Sequence, residues 1–153
     1  MSLALLVQFF LGMVTNLYVN IPAQHPGANA ENYFSGAARS LGWAISAGSS
    51  VWLAAHAALG CLLVLGAIES IVFAARSRSA LWIWATSCGA AFIIGAAFNG
   101  MSFLVFNKDY SSLIMAGLFA LALSSYVLAL YVDGSKRDGA HAGHPRRFPP
   151  SAR

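Results

Sequence analysis

Four long apolar runs, none broken by a proline, leave this chain few ways to fold. They extend from Leu3 to Val19, from Val51 to Ala75, from Leu81 to Phe103 and from Leu113 to Val132, and the second helix could begin as early as Trp43. A helix of about 20 mainly apolar residues crosses the hydrocarbon of a bilayer. In that medium a helix also satisfies every backbone N–H and C=O within its own segment. Only 9% of the 153 residues are charged and 58% are hydrophobic, whereas roughly a quarter of an average soluble domain is charged. So few charges could not cover a soluble protein of this size. The sequence therefore predicts an all-α fold, a bundle of four transmembrane helices over residues 1–132, with the lipid bilayer of the cell membrane as its solvent.

Residues 133–153 are rich in Gly, Pro, Ser, His and Arg. Such a segment cannot bury enough apolar surface to fold and is expected to be a disordered basic cytoplasmic tail. The first run has no basic segment before it and no small-residue cleavage site after it, so it reads as a retained helix. Residues 20–42 form a polar connection in which Pro22, Pro26 and Gly27 oppose a regular helix.

Charge asymmetry sets the expected orientation. Arg76 and Arg78 lie between the second and third runs, and Lys136, Arg137, Arg146, Arg147 and Arg153 lie in the tail. The other two connections hold one cation each, Arg39 and Lys108. Basic loops stay in the cytoplasm, which places both termini there. Tyr18, Trp43, Trp52, Trp82, Trp84, Tyr110 and Tyr131 fall near run ends, where interfacial aromatics belong. The net charge of +4 is a topology signal and not a nucleic-acid footprint, because the cations do not cluster on one folded face with aromatics between them. Cys61 and Cys88 lack any paired ligand spacing and read as small buried hydrophobes without a disulfide.

Polar groups inside a membrane are costly and each needs a reason. His56 lies in the second run, about 7 Å below its start by helical rise. It is either hydrogen-bonded to a neighbouring helix or a ligand, with haem b as the candidate cofactor, a metal, or a proton-handling group. His25, in the outer connection, is the available partner for it. Asn16, Asn99, Asn107 and Asp109 fall at the same end, with Lys108. They either line one polar pocket with the two histidines or act as caps and interhelix hydrogen bonds. Glu69 is the only acid within a run. It points away from His56, and Arg76, a heptad on, is its expected partner. Gln8 and Thr15 share a face of the first helix and are expected to point inward. Ala116, Ala120 and Ser124, and likewise Ala96 and Gly100, recur at the four-residue spacing that lets helix backbones approach closely.

The stretches NLYVNIPAQHPGANAENYFSGA and GAAFNGMSFLVFNKDYSSLIMAGLFALAL resemble small uncharacterised four-helix integral membrane proteins of high-GC Gram-positive bacteria. The likeness covers most of the chain except the tail. It implies the four-span topology and carries no activity with it.

No phosphate-binding glycine loop, no H-E-x-x-H and no Ser-His-Asp constellation can be placed, so an enzyme is the less favoured reading. Intramembrane charges are too few for a voltage sensor. Three readings stay open. The first is an accessory or structural subunit of a larger membrane complex, a respiratory one among the candidates, with other membrane subunits or further copies as partners. The second is a haem- or metal-binding electron-transfer protein built on His56. The third is a small oligomeric channel or transporter. The orientation makes a direct prediction: a cysteine introduced at residue 30 is labelled by an impermeant reagent from outside the cell, and one at residue 140 is not. The reverse pattern would overturn it.

Overall fold

A computed structural model describes residues 1–46, 49–76, 79–108 and 110–142, with side chains through Tyr131. Its described residues form five helices and no strand: α1 (Ser2–Tyr18), α2 (Tyr33–Ile45), α3 (Val51–Arg76), α4 (Ala80–Phe106) and α5 (Tyr110–Ala142). Three segments are long and apolar enough to cross a membrane, namely α3, α4 and the Tyr110–Tyr131 part of α5. The first run forms a shorter apolar helix of 17 residues. The chain is thus compatible with a multi-pass membrane protein.

Two features depart from the expectations. The polar connection contains α2, which begins where the Asn32 side chain accepts a hydrogen bond from the Ser35 N–H at 3.1 Å. Trp43 belongs to α2, and residues 46–50 separate it from α3, so the span beginning at Val51 does not reach back to Trp43. At the far end the α5 backbone stays helical to Ala142, past the boundary expected at Val132. Residues 143–153, with Arg78 of the basic turn and Asp109, lie outside the described residues.

The four longer apolar helices make a ring of contacts. α1 packs against α3 and α5, α3 against α4, and α4 most extensively against α5, while α2 lies across α3 and α4 at one end. That end, called here the α2 end, also carries Tyr18, Val51, Phe106 and Tyr110. Arg76 and Ala80 mark the opposite, basic-turn end.

Hydrophobic side chains gain little by leaving lipid for one another, so close backbone approach and interhelical hydrogen bonds must hold such a ring together. Glycine notches supply the approach. The Tyr126 ring of α5 lies over Gly89 of α4, where a β-carbon would stand 2.7 Å from it. The buried Tyr126 hydroxyl reaches the Ser70 Oγ of α3 at 3.1 Å. One side chain therefore joins three helices, in a core shared with Leu5, Leu63, Ala67, Ala90, Ile93 and Ala122. The expected small-residue row of α5 is not part of this seam. Ala116, Ala120 and Ser124 are exposed, and Ser111, Ala122 and Ala129 are the small residues buried instead.

The aromatic belt holds in part. Tyr18, Trp84, Tyr110 and Tyr131 are all more than 60% exposed, as interfacial side chains are, whereas Trp43 packs inward. Both cysteines are free, and Cys88 is exposed where burial was expected.

Tyr126→Phe should cost about 0.6 kcal/mol, a typical interhelical hydrogen bond in a membrane, because the ring keeps its notch. Gly89→Leu fills the notch and should cost about 1–3 kcal/mol. Unfolding of the purified chain in mixed micelles would show the order, and an equal loss for both would refute the notch.

Candidate functional site

The polar residues singled out in the sequence gather at the α2 end, but they act in separate places. Asn16, near the end of α1, accepts a hydrogen bond from the Ser112 hydroxyl at 3.0 Å. Asn99 of α4 donates to the Ser111 carbonyl at 2.6 Å. The two asparagines thus hold the first turn of α5 from two sides. Asn107 ends α4 in the left-handed conformation (φ 48°, ψ 51°), with its N–H donating to the Phe103 carbonyl at 2.7 Å. Asparagine tolerates this backbone better than most residues, so its role here is a helix cap.

The connection before α2 is folded down onto the last turns of α4. The Asn29 N–H donates to the Val105 carbonyl at 2.8 Å. The Tyr33 hydroxyl donates to the Phe98 carbonyl at 3.1 Å and lies 3.0 Å from the Ser102 Oγ. Gly27, at φ 94°, sits so close to Gly36 and Ser40 of α2 that no β-carbon would fit. The His25 ring stacks on Trp43, with centroids 4.5 Å apart and planes 13° from parallel. Trp43 in turn packs on the cluster of Ala44, Leu53 and Leu104.

His56 has a different neighbour. α1 and α3 run antiparallel, with Met1 beside Gly66, Gln8 beside Gly60 and Gly12 beside His56. Each helix offers a glycine to a polar side chain of the other. A β-carbon on Gly12 would stand 3.0 Å from His56 Cε1, and one on Gly60 would stand 3.2 Å from Gln8 Nε2. The Gln8 amide donates to the His56 carbonyl at 3.1 Å. His56 Nδ1, Gln8 Oε1 and Thr15 Oγ1 are all buried without a hydrogen-bond partner. Gln8 and Thr15 thus point inward, as their spacing predicts.

Both histidines are therefore held by packing, His25 on Trp43 and His56 on Gly12, and among the described residues no contact joins them. No group of three or more His, Cys, Asp or Glu side chains converges as a metal site among the described residues. Glu69 is exposed on α3 and makes no ion pair among the described residues. Its expected partner Arg76 instead extends over the Phe73 ring, 6.0 Å from the centroid. Glu69 borders an open groove of about 390 Å³ at the basic-turn end, shared with Met1, Ala4, Gly66 and Phe73. What the α2 end offers chemically is an imidazole in a partly polar seam beside a hydrogen-bonded cap.

No family model matches the chain, and no curated protein or solved structure matches it either.

Asn107 separates the capping role from a ligand role. Asn107→Gly should leave stability unchanged, because glycine adopts positive φ freely. Asn107→Val should cost about 1–2 kcal/mol. Thermal unfolding in detergent checks both, and a glycine variant that loses stability would show that the side chain has another task.

Proposed function

We propose that this protein is a four-span subunit of a larger cell-membrane assembly, in which α1 is the fourth span and both termini lie in the cytoplasm. The observation that carries the reading is the outward face of α5. Ala116, Ala120 and Ser124 repeat at four-residue spacing and are exposed, and a β-carbon on Gly117 would meet nothing within 4 Å. Lipid tails gain nothing from such a face, whereas another helix can approach it closely.

The use made of the other polar residues supports the same reading. The side chains of Asn16, Asn99 and Tyr33 and the backbone of Asn107 make hydrogen bonds within the chain's own cap. The resemblance to small four-helix membrane proteins agrees with the topology. The partner is another membrane subunit, within a respiratory complex or one like it, or a further copy of this chain.

Size analysis after extraction in mild detergent tests the proposal. The full-length chain should elute within an assembly larger than its 16.1 kDa plus micelle, and mass spectrometry of that peak identifies what accompanies it. Ala120→Phe should release the monomer without changing helix content. A parent chain that elutes as a monomer, alone, from native membranes would overturn the proposal.

A further inference from the structure

The helix α2 lies beside the spans rather than beyond them. Its Tyr33 hydroxyl reaches the Phe98 carbonyl, eight residues before α4 ends at Phe106 and so about 12 Å short of that end by helical rise. Its Ala44 packs on Leu53 and Leu104, one near the start of α3 and the other near the end of α4. The 13-residue helix is therefore level with the outermost turns of two apolar spans. Tyr18 and Tyr110, at the ends of α1 and α5, are 78% and 63% exposed at the same end of the ring, as aromatics at a membrane interface are.

At about 100° per residue, the contacts divide α2 into four faces. Gly36, Ser40 and Trp43 turn toward the preceding connection, where Gly36 and Ser40 lie against Gly27 and Trp43 stacks on His25. Tyr33 and Ala44 turn toward the spans. Phe34, Ala38, Leu41 and Ile45 form an apolar stripe roughly opposite the connection. Phe34 is 72% exposed, Ile45 is 44% exposed and Ala38 is exposed as well. Ser35, Arg39 and Gly42 form the fourth face, exposed and roughly opposite the spans. The connection is the polar side of this end, with Pro22, Gln24, Pro26 and Asn29 exposed, and Asn29 bonds to Val105 beside the last residue of α4. The stripe opposite it points back toward the depth of the spans.

We propose that α2 is an in-plane helix seated where lipid headgroups meet acyl chains, with Phe34, Ala38, Leu41 and Ile45 immersed in the chains and Arg39 on a phospholipid phosphate. The occupant of this surface is the bilayer leaflet at the α2 end. An amphipathic helix with an apolar stripe and a cation on the neighbouring face takes that position. The Arg39 Nε donates to the Ser35 carbonyl at 3.3 Å, which leaves the two terminal amino groups of the guanidinium for a phosphate, a match of fork to oxygens. Among the described residues no carboxylate pairs with Arg39. Its long stem lets the charge stay at headgroup level while the stripe beside it is buried in lipid. The stripe also differs from the outward face of α5. Phe34, Leu41 and Ile45 are large and insert between chains, whereas Ala116, Gly117 and Ala120 admit another helix backbone. This seat for α2 is independent of the subunit reading above.

Nitroxide depth measurements on the full-length chain test the seat, in nanodiscs of phosphatidylcholine and phosphatidylglycerol with Cys61 and Cys88 replaced by Ala. The labels go at Ala38→Cys on the apolar stripe and at Gly42→Cys on the polar face. Both positions are exposed, and a β-carbon at Gly42 would meet nothing within 4 Å, so both sites have room for a side chain. The ratio of collisions with oxygen to collisions with a water-soluble nickel chelate should be several times higher at residue 38 than at residue 42. Equal ratios would overturn the proposal, whether because α2 stands in water or because a protein partner covers it. The chain with its own cysteines gives a second reading by native mass spectrometry. It should retain phosphatidylglycerol in preference to a neutral diglycosyl diacylglycerol. Arg39→Gln should lower that retention several-fold and Arg39→Lys should recover part of it. Equal retention by the parent and Arg39→Gln, or displacement of the lipid by millimolar inorganic phosphate, would overturn the proposal.

Discussion

Everything in this fold depends on how closely two helix backbones can approach. In a membrane there is no water for the helices to escape from, so contact area alone does not hold them together. Glycine notches solve the problem at successive levels. Gly12 receives His56 and Gly60 receives Gln8 between α1 and α3, and Gly89 receives Tyr126 between α4 and α5. In each case the side chain that fills the notch has a polar end. Two of these ends are used between helices, Tyr126 to Ser70 and Gln8 to the His56 carbonyl. The notch and the hydrogen bond are therefore one device, in which the missing β-carbon brings the donor within reach.

That device behaves differently on the two sides of the ring. At Tyr126 the hydroxyl meets the Ser70 hydroxyl, which is itself anchored to the Ala67 carbonyl at 2.7 Å, so both hydroxyls have partners. Between α1 and α3 the notches are slightly wider, 3.0 and 3.2 Å against 2.7 Å at Gly89, and the Gln8 Oε1, Thr15 Oγ1 and His56 Nδ1 atoms have no hydrogen-bond partner. The contrast within one molecule is between a polar lock whose groups have partners and one in which several do not.

The sequence made the helical class and the long apolar spans legible, because hydropathy over some 20 residues is a strong signal. It also showed that Gln8 and Thr15 share an inward face. It did not show α2. The residues that helix buries are Gly36, Ala37, Ser40 and Ala44, too small and too polar to raise the hydropathy of a segment that opens with two prolines. The Asn32 cap and the spacing of those small residues were the available signs. The small-residue rows failed for a related reason. Spacing alone cannot say which of several faces a helix turns inward, and on α5 the face chosen by Tyr126 excludes Ala116, Ala120 and Ser124. For the candidate site, residue types and depth were readable, but partners were not. Asn107 takes a left-handed cap and His25 takes Trp43 through contacts that no local pattern encodes.

The lock between the α2 segment and α4 also bears on how the molecule is made. Tyr33 finds its partners 65 and 69 residues further along the chain, at Phe98 and Ser102. At about 5–20 residues per second a ribosome needs roughly 3–13 s to deliver the nearer of them. During that interval α1 and α3 can already be pairing through their own notches, while residues 19–46 have no α4 to close upon. An amphipathic helix with Phe34 and Ile45 exposed can wait at a lipid headgroup surface. The loop-end cap therefore settles only after α4 has been made, since every bond that pins it to α4 requires a segment synthesised after it.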